Sequence, residues 1–200
     1  MMDSDPDAND PREDRPRAPT WADEVHRSLL KRRTVLIFGE ITSELAQATT
    51  AQLLALAGES DAPIRVVIHS PGGHVESGDT IHDVIRFIRP EVKMIGTGWV
   101  ASAGALIFVA ARRENRFALP NTRFLLHQPS GGLRGIAADI EIEAAQITAM
   151  RARLSRIFAA ATGQELDKLM RETERNLWMN AREAQAYGLV HRVIEPGEEV

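Results

Sequence analysis

Three short stretches of this chain hold residue types that can do covalent chemistry together. Ser102 stands in Gly98-Trp99-Val100-Ala101-Ser102-Ala103-Gly104-Ala105. Before it, Val92-Lys93-Met94-Ile95-Gly96 reads as a strand; after it, Ala105 to Ala111 is apolar throughout and predicts a buried helix. A serine at such a strand-to-helix turn exposes its hydroxyl at the top of a sheet. The helix start behind it offers free N–H groups and the positive end of a dipole. A nucleophilic serine needs such donors, because its tetrahedral intermediate carries an oxyanion. The competing reading of this stretch alone is an ordinary helix N-cap serine.

The second stretch is Ser70-Pro71-Gly72-Gly73, between a predicted strand and a predicted helix. Pro71 fixes one backbone angle, and the glycines permit positive φ and close approach of another group. Such a turn can aim an N–H at an oxyanion; the phosphate-binding pattern with its lysine is absent. The third is His127, at the end of an apolar run and followed by Gln128-Pro129. A histidine at a strand end can face a serine across a cleft and act as its base. The other five histidines are read as structural. His74, Asp79 and His82 lie near one another in sequence, but their spacing matches no metal-ligand motif.

Alternating elements must position these groups. The pattern predicts a helix over 21–33, a strand at Thr34–Phe38, a helix from Thr42 to Leu56, a strand at Ile64–Ile68 and a helix from Glu76 to Ile88 stopped by Pro90. The strand into the Ser102 turn follows. Strand and helix alternate three times, which argues for parallel βαβ units in an α/β fold. Two short strands are expected at Arg116–Leu119 and Arg123–His127, then a flexible Gly131-Gly132…Gly135 connection. A long helix, Ile136 to Thr162, carries Ile140, Ile147 and Leu154 seven apart, and Met150 and Ile157 likewise. An apolar seam of that length suggests a subunit contact; packing on its own domain is the alternative. Further on come a helix over Gln164–Arg175, a helix capped by Asn180 and Glu183 and ended by Gly188, and a strand at Leu189–Ile194.

Two hundred residues with 44% hydrophobic content suit one domain with a real core, here placed at residues 21–200. Residues 1–20 hold four of the ten prolines and six acids, and read as a disordered acidic tail. The net charge of −4 and the lack of a run of basic and aromatic residues argue against nucleic acid as the main partner. With no cysteine there is no thiol nucleophile, thiolate zinc site or disulfide, which is compatible with a cytoplasmic setting. No stretch of about twenty apolar residues is present to cross a membrane.

Taken together, Ser70–Gly73, Gly98–Ala105, Leu119-Pro120-Asn121-Thr122-Arg123 through His127-Gln128-Pro129, Thr173-Glu174-Arg175, and Glu183-Ala184 through Tyr187-Gly188-Leu189-Val190 resemble the proteolytic subunits of the Clp protease, the ClpP family of serine peptidases. The likeness runs in order from about residue 30 to 195. It implies a ClpP/crotonase-type fold of repeated ββα units with a protruding long handle helix. It implies two stacked heptameric rings, a serine endopeptidase acting on unfolded polypeptides, no cofactor in the peptidase itself, and ATP used by a partner AAA+ unfoldase of the Clp family. Carried onto this chain, Ser102 is the nucleophile, His127 the base, and the N–H groups of Gly73 and Ala103 the oxyanion hole. Arg175, with Asp139 or Glu141, makes the contact between rings.

Three features depart from the family pattern. The third triad member is usually Asp, and this chain has Asn176 there. The strand before Ser70 usually bears aromatics that line the unfoldase-docking pocket; Arg65 and Val67 stand in their place. The segment before Leu29 does not match the family's axial loop. Asn176 and the missing aromatics favour a second reading, a weakly active or inactive ClpP-like subunit that completes or regulates a mixed barrel; Ser102 and His127 together oppose it, since a pure scaffold needs neither. An acyl-CoA enzyme of the wider fold would need the oxyanion hole but no Ser/His pair.

Overall fold

The structure, a computed structural model, describes residues 20–129 and 135–198. The expected tail, but for Thr20, and the pair Gly131-Gly132 lie outside them. Helix α1 (Trp21–Lys31) opens on a capping box: the Thr20 hydroxyl accepts from the Asp23 N–H and the Asp23 carboxylate accepts from the Thr20 N–H. Strand β1 (Thr34–Phe38) follows, then α2 (Ser43–Glu59), β2 (Ile64–Ser70), α3 (Val75–Phe87), β3 (Val92–Ala101) and α4 (Ala103–Phe108). Strands β1, β2 and β3 pair in parallel. Alternate residues Val35 and Ile37 of β1, and Ile64, Val66 and Ile68 of β2, are fully buried, while Leu36, Phe38 and Arg65 face outward. Against the buried face α2 sets Ala46, Thr49, Leu53 and Leu56, and α3 sets Ile81 and Ile85; all of α4 is buried.

Strand β3 is longer than its sequence suggests. Its first half, Met94–Gly96, pairs with β4 (Arg116–Ala118); its second, Trp99–Ala101, pairs with β5 (Arg123–Leu126). Gly98 joins the halves at φ 56°, and a Cβ there would lie 2.7 Å from the His69 ring, whose Nδ1 accepts from the Trp99 N–H at 3.1 Å. The strand thus bends and carries on to the residue before Ser102, and α4 begins immediately after it, two residues earlier than expected.

The long helix α5 (Ala137–Thr162) packs only its second half: Leu154 and Phe158 are buried, whereas Ile136, Ile140 and Ile142 stay exposed. The helix expected over Gln164–Arg175 is shorter, α6 (Leu166–Glu172), capped at its C-terminus by Thr173, whose N–H and hydroxyl both donate to the Leu169 carbonyl. Beyond it Leu177–Asn180 forms β6, antiparallel to β5, an element absent from the sequence expectation. Helix α7 (Ala181–Tyr187) has the expected Asn180/Glu183 capping box. The expected strand Leu189–Ile194 shrinks to β7 (Arg192–Val193), because the N–H groups of Leu189 and Val190 both close α7 by donating to the Ala184 carbonyl.

Candidate active site

Ser102 holds φ 54°, ψ −121° between β3 and α4. Only Arg33 shares a positive φ among the described residues other than glycine. That backbone costs roughly 1–3 kcal/mol and is held by long-range bonds. The Ser102 N–H donates to the Leu125 carbonyl on β5 at 2.9 Å, and its carbonyl accepts the first α4 bond, from the Leu106 N–H. The side chain is partly exposed while its neighbours Ala101 and Ala103 are buried. The serine is therefore the one polar side chain that this turn presents, and its hydroxyl caps no N–H of the helix.

The turn after β2 runs directly against it. Gly72 (φ 100°) lies so near that a Cβ would stand 2.6 Å from the Ser102 Cβ and 3.2 Å from its Oγ. Gly73 (φ 146°) forms a parallel bridge with Ile41, made by the Ile41 N–H to the Gly72 carbonyl and the His74 N–H to the Ile41 carbonyl, both 2.8 Å. The Gly73 N–H takes no part in that bridge, and the Ala103 N–H is at the first position of α4, where a helix has no internal acceptor. A residue larger than glycine at 72 must push the serine. Gly72→Ala is expected to lower kcat/KM for a peptide substrate by roughly 10²-fold, from misplacement of about an ångström. Peptide hydrolysis measured beside an unchanged circular dichroism spectrum checks it.

His127 follows β5 and stands between two cavities. One is lined by Ser102, Ala103 and His127 with apolar walls from Val75, Leu106, Leu126, Leu154 and Phe158. The other is lined by His127, Gln128, Pro129, Glu174, Arg175 and Asn176. The imidazole thus borders the serine on one side and the Asn176 segment on the other. Among the described residues no hydrogen bond joins Ser102 to His127 or His127 to Asn176; free enzymes often hold such contacts loosely before substrate arrives.

Residues 17–197 match the family described as Clp protease. The chain belongs to the Clp protease family. It is 60% identical over 171 residues to the ATP-dependent Clp protease proteolytic subunit 3 of Rhizobium meliloti (strain 1021), covering 86% of this chain and 88% of that one. It is 55% identical over 204 residues to the proteolytic subunit 2 of Gluconobacter oxydans, covering 100% and 92%. Among solved structures, a ClpP1 mutant of Listeria monocytogenes carrying an Asn→Asp substitution superposes with a TM-score of 0.81 at 51% identity, covering 86% of this chain and 97% of that one. The ClpP-type fold expected from the sequence is borne out, and the serine-type peptidase class is that of the family.

Within this Clp-type subunit the remaining candidates are spread out. Asp139 and Glu141 lie exposed in the first turns of α5, and Arg175 is exposed beside Asn176. Of the acids near Asn176, Glu172 is already engaged, accepting from the Tyr187 hydroxyl at 2.7 Å and lying 3.8 Å from the Lys168 ammonium. Burial, with that acceptor, holds the Tyr187 phenol well above its usual range. Glu174 borders the same cavity as His127. The pair Tyr187–Glu172, which ties α7 to α6 just before the Asn176 segment, was not singled out from sequence; only the fold brings residues fifteen apart together.

His74, Asp79 and His82 do not converge. His74 meets Ser77, Asp79 takes both guanidinium nitrogens of Arg153, and His82 meets Asp83. Among the described residues no group of three or more such side chains is placed to hold a metal, and no helix is long and apolar enough to cross a membrane. On the outward face of β2, Arg65 and Val67 lack aromatic rings, but the adjacent strand supplies Leu36 opposite Val67 and an exposed Phe38 tilted on His69 at 5.7 Å.

Proposed function

We propose that this chain is a serine endopeptidase subunit that hydrolyses unfolded polypeptides inside a barrel of two stacked heptameric rings, fed by an ATP-dependent AAA+ unfoldase. The observation that carries the chemistry is the strained Ser102 turn, pressed on by Gly72 and sharing an apolar cavity with His127. In this reading a substrate side chain of apolar character fills that cavity. The Ser102 Oγ attacks the scissile carbonyl carbon while His127 takes its proton. The oxyanion is held by the N–H groups of Gly73 and Ala103. His127 then gives the proton to the departing amine. A water, activated by the same imidazole, hydrolyses the acyl-enzyme and restores the serine. The Asn176 carboxamide oxygen accepts the second imidazole N–H and fixes the tautomer. No metal or cofactor enters these steps. A fluorophosphonate probe tests the nucleophile: mass spectrometry is expected to find the adduct on Ser102, and an adduct on another serine with Ser102 unmodified overturns the assignment.

The exposed first half of α5 and the exposed Arg175 support the ring-to-ring contact. A guanidinium holds a carboxylate through two parallel bonds, and removing one partner leaves the other unpaired at an interface. Arg175→Ala is expected to convert double rings to single rings with the subunit fold kept, as read by sedimentation velocity. An unchanged double ring removes Arg175 from that contact.

A further inference from the structure

The parallel strands place Ser102 at the C-terminal end of β3. Toward its opposite end, where Arg116 pairs with Met94 and Arg112 meets Glu91, and along the flank of α5 lies a groove of about 930 Å³ that shares no lining residue with the Ser102 cavity. Arg86 of α3, Arg112 and Arg113 of the segment leading into β4, Arg116 at the start of β4, and Arg153 and Arg156 of α5 all line it, with Glu114 the acid among them. Two of the six are neutralised: Arg153 by Asp79, and Arg112 by Glu91 at 3.6 Å. His82, at the same groove, is matched by Asp83. Arg86, Arg113, Arg116 and Arg156 have no ion pair among the described residues.

Arg116 is the unusual member. It is only 3% exposed. Its guanidinium donates to the Leu189 carbonyl at 3.2 Å and the Ala161 carbonyl at 2.9 Å, and its buried Nε–H has no acceptor. A buried cation without a counter-charge is costly. Burial first, and the positive charge of Arg113 second, bring its pKa down to about 10, so it remains charged near neutral pH.

We propose that this groove binds a compact polyphosphate-class anion. Three exposed guanidinium groups without an ion pair, on α3 (Arg86), α5 (Arg156) and the segment before β4 (Arg113), together with the buried charge of Arg116 behind them, ask for several negative charges within one cavity. The oxygens of a polyphosphate match the guanidinium fork two at a time. A concave site with a buried cation suits a compact ligand better than a duplex or a flat surface. The volume is within the range of small-molecule sites, about 300–1,000 Å³. The site is separate from the peptidase chemistry and does not depend on it.

The test is calorimetric titration of the full-length assembled protein with inorganic tripolyphosphate, and with sulfate at matched ionic strength. Saturable binding of tripolyphosphate, tighter than that of sulfate, is expected. Arg113 and Arg156 are exposed and outside the catalytic machinery, so Arg113→Gln/Arg156→Gln is expected to keep peptide hydrolysis while losing roughly tenfold or more in tripolyphosphate affinity. Binding no tighter than sulfate, or unchanged in the double variant, overturns the proposal. So does binding that emerges only after residues 1–18 are removed, because the acidic N-terminal segment is then the natural occupant.

Discussion

Ser102→Ala is expected to reduce peptide hydrolysis by roughly 10⁴–10⁶-fold, the range seen when the nucleophile of a serine protease is removed. The fold should not change. Alanine is smaller than serine, and the Ser102 hydroxyl caps no N–H of α4. The turn is fixed instead by the main-chain bonds of residue 102 to Leu125 and Leu106, which alanine keeps. The φ of 54° costs alanine much what it costs serine. Activity and assembly therefore separate cleanly: a fluorogenic peptide assay should fall to background while sedimentation reports the wild-type particle. Residual hydrolysis within tenfold of wild type, in protein free of contaminating protease, places the nucleophile elsewhere.

The second large effect is expected at Asn176. It borders a second cavity that His127 also lines, beside the one His127 shares with Ser102. A carboxamide oxygen there can fix the imidazole tautomer but brings no charge to offset the imidazolium that forms as Ser102 loses its proton. Exchange of Asp for Asn in a chymotrypsin-type triad costs roughly 10⁴ in turnover, while papain-like enzymes work with Asn. Asn176→Asp is accordingly expected to raise hydrolysis of small peptides at neutral pH, by about tenfold or more. Asn176→Ala should lower it, because nothing then holds the ring. Glu174→Ala is the control, since Glu174 borders the same cavity, whereas Glu172 is held by Tyr187 and Lys168. Full activity in Asn176→Ala with loss in Glu174→Ala gives the third role to Glu174. Wild-type and Asn176→Asp proteins that both assemble, with activity appearing only in the variant, identify the weakly active subunit of a mixed barrel.

The main frame was legible because its signals are local. The short apolar run Val35–Phe38 ended by Gly39, the spaced apolar residues of α2 and α3, and Pro90 after α3 each act within a few residues. So do the Asn180/Glu183 box and the glycines beside Ser70 and Ser102; their backbone demands are written in the residue types themselves. Errors arose where a partner far along the chain decides. Leu177–Asn180 alternates weakly, and becomes a strand only because β5 offers an antiparallel edge. Leu189 and Val190 have strand-forming side chains, but their N–H groups are taken by the end of α7. Val92–Ala101 continues past Gly98 because β5 pairs with its second half.

Charge shows the same division. The sequence sets a net charge of −4 and shows no cluster of basic residues interleaved with aromatics. Only the folded chain brings Arg86, Arg113, Arg116 and Arg156 to one groove and buries Arg116 there. Residue types and short spacings marked the turn at Ser102, while its positive φ is held by the bond to the Leu125 carbonyl of β5. Parallel strand pairing decided that His127, twenty-five residues later, shares its cavity, and that Arg116, paired beside Met94, borders a separate cationic groove. The physical reason is that caps, turns and apolar spacing act on adjacent backbone, whereas a held strain, a cavity and its field depend on neighbours in space.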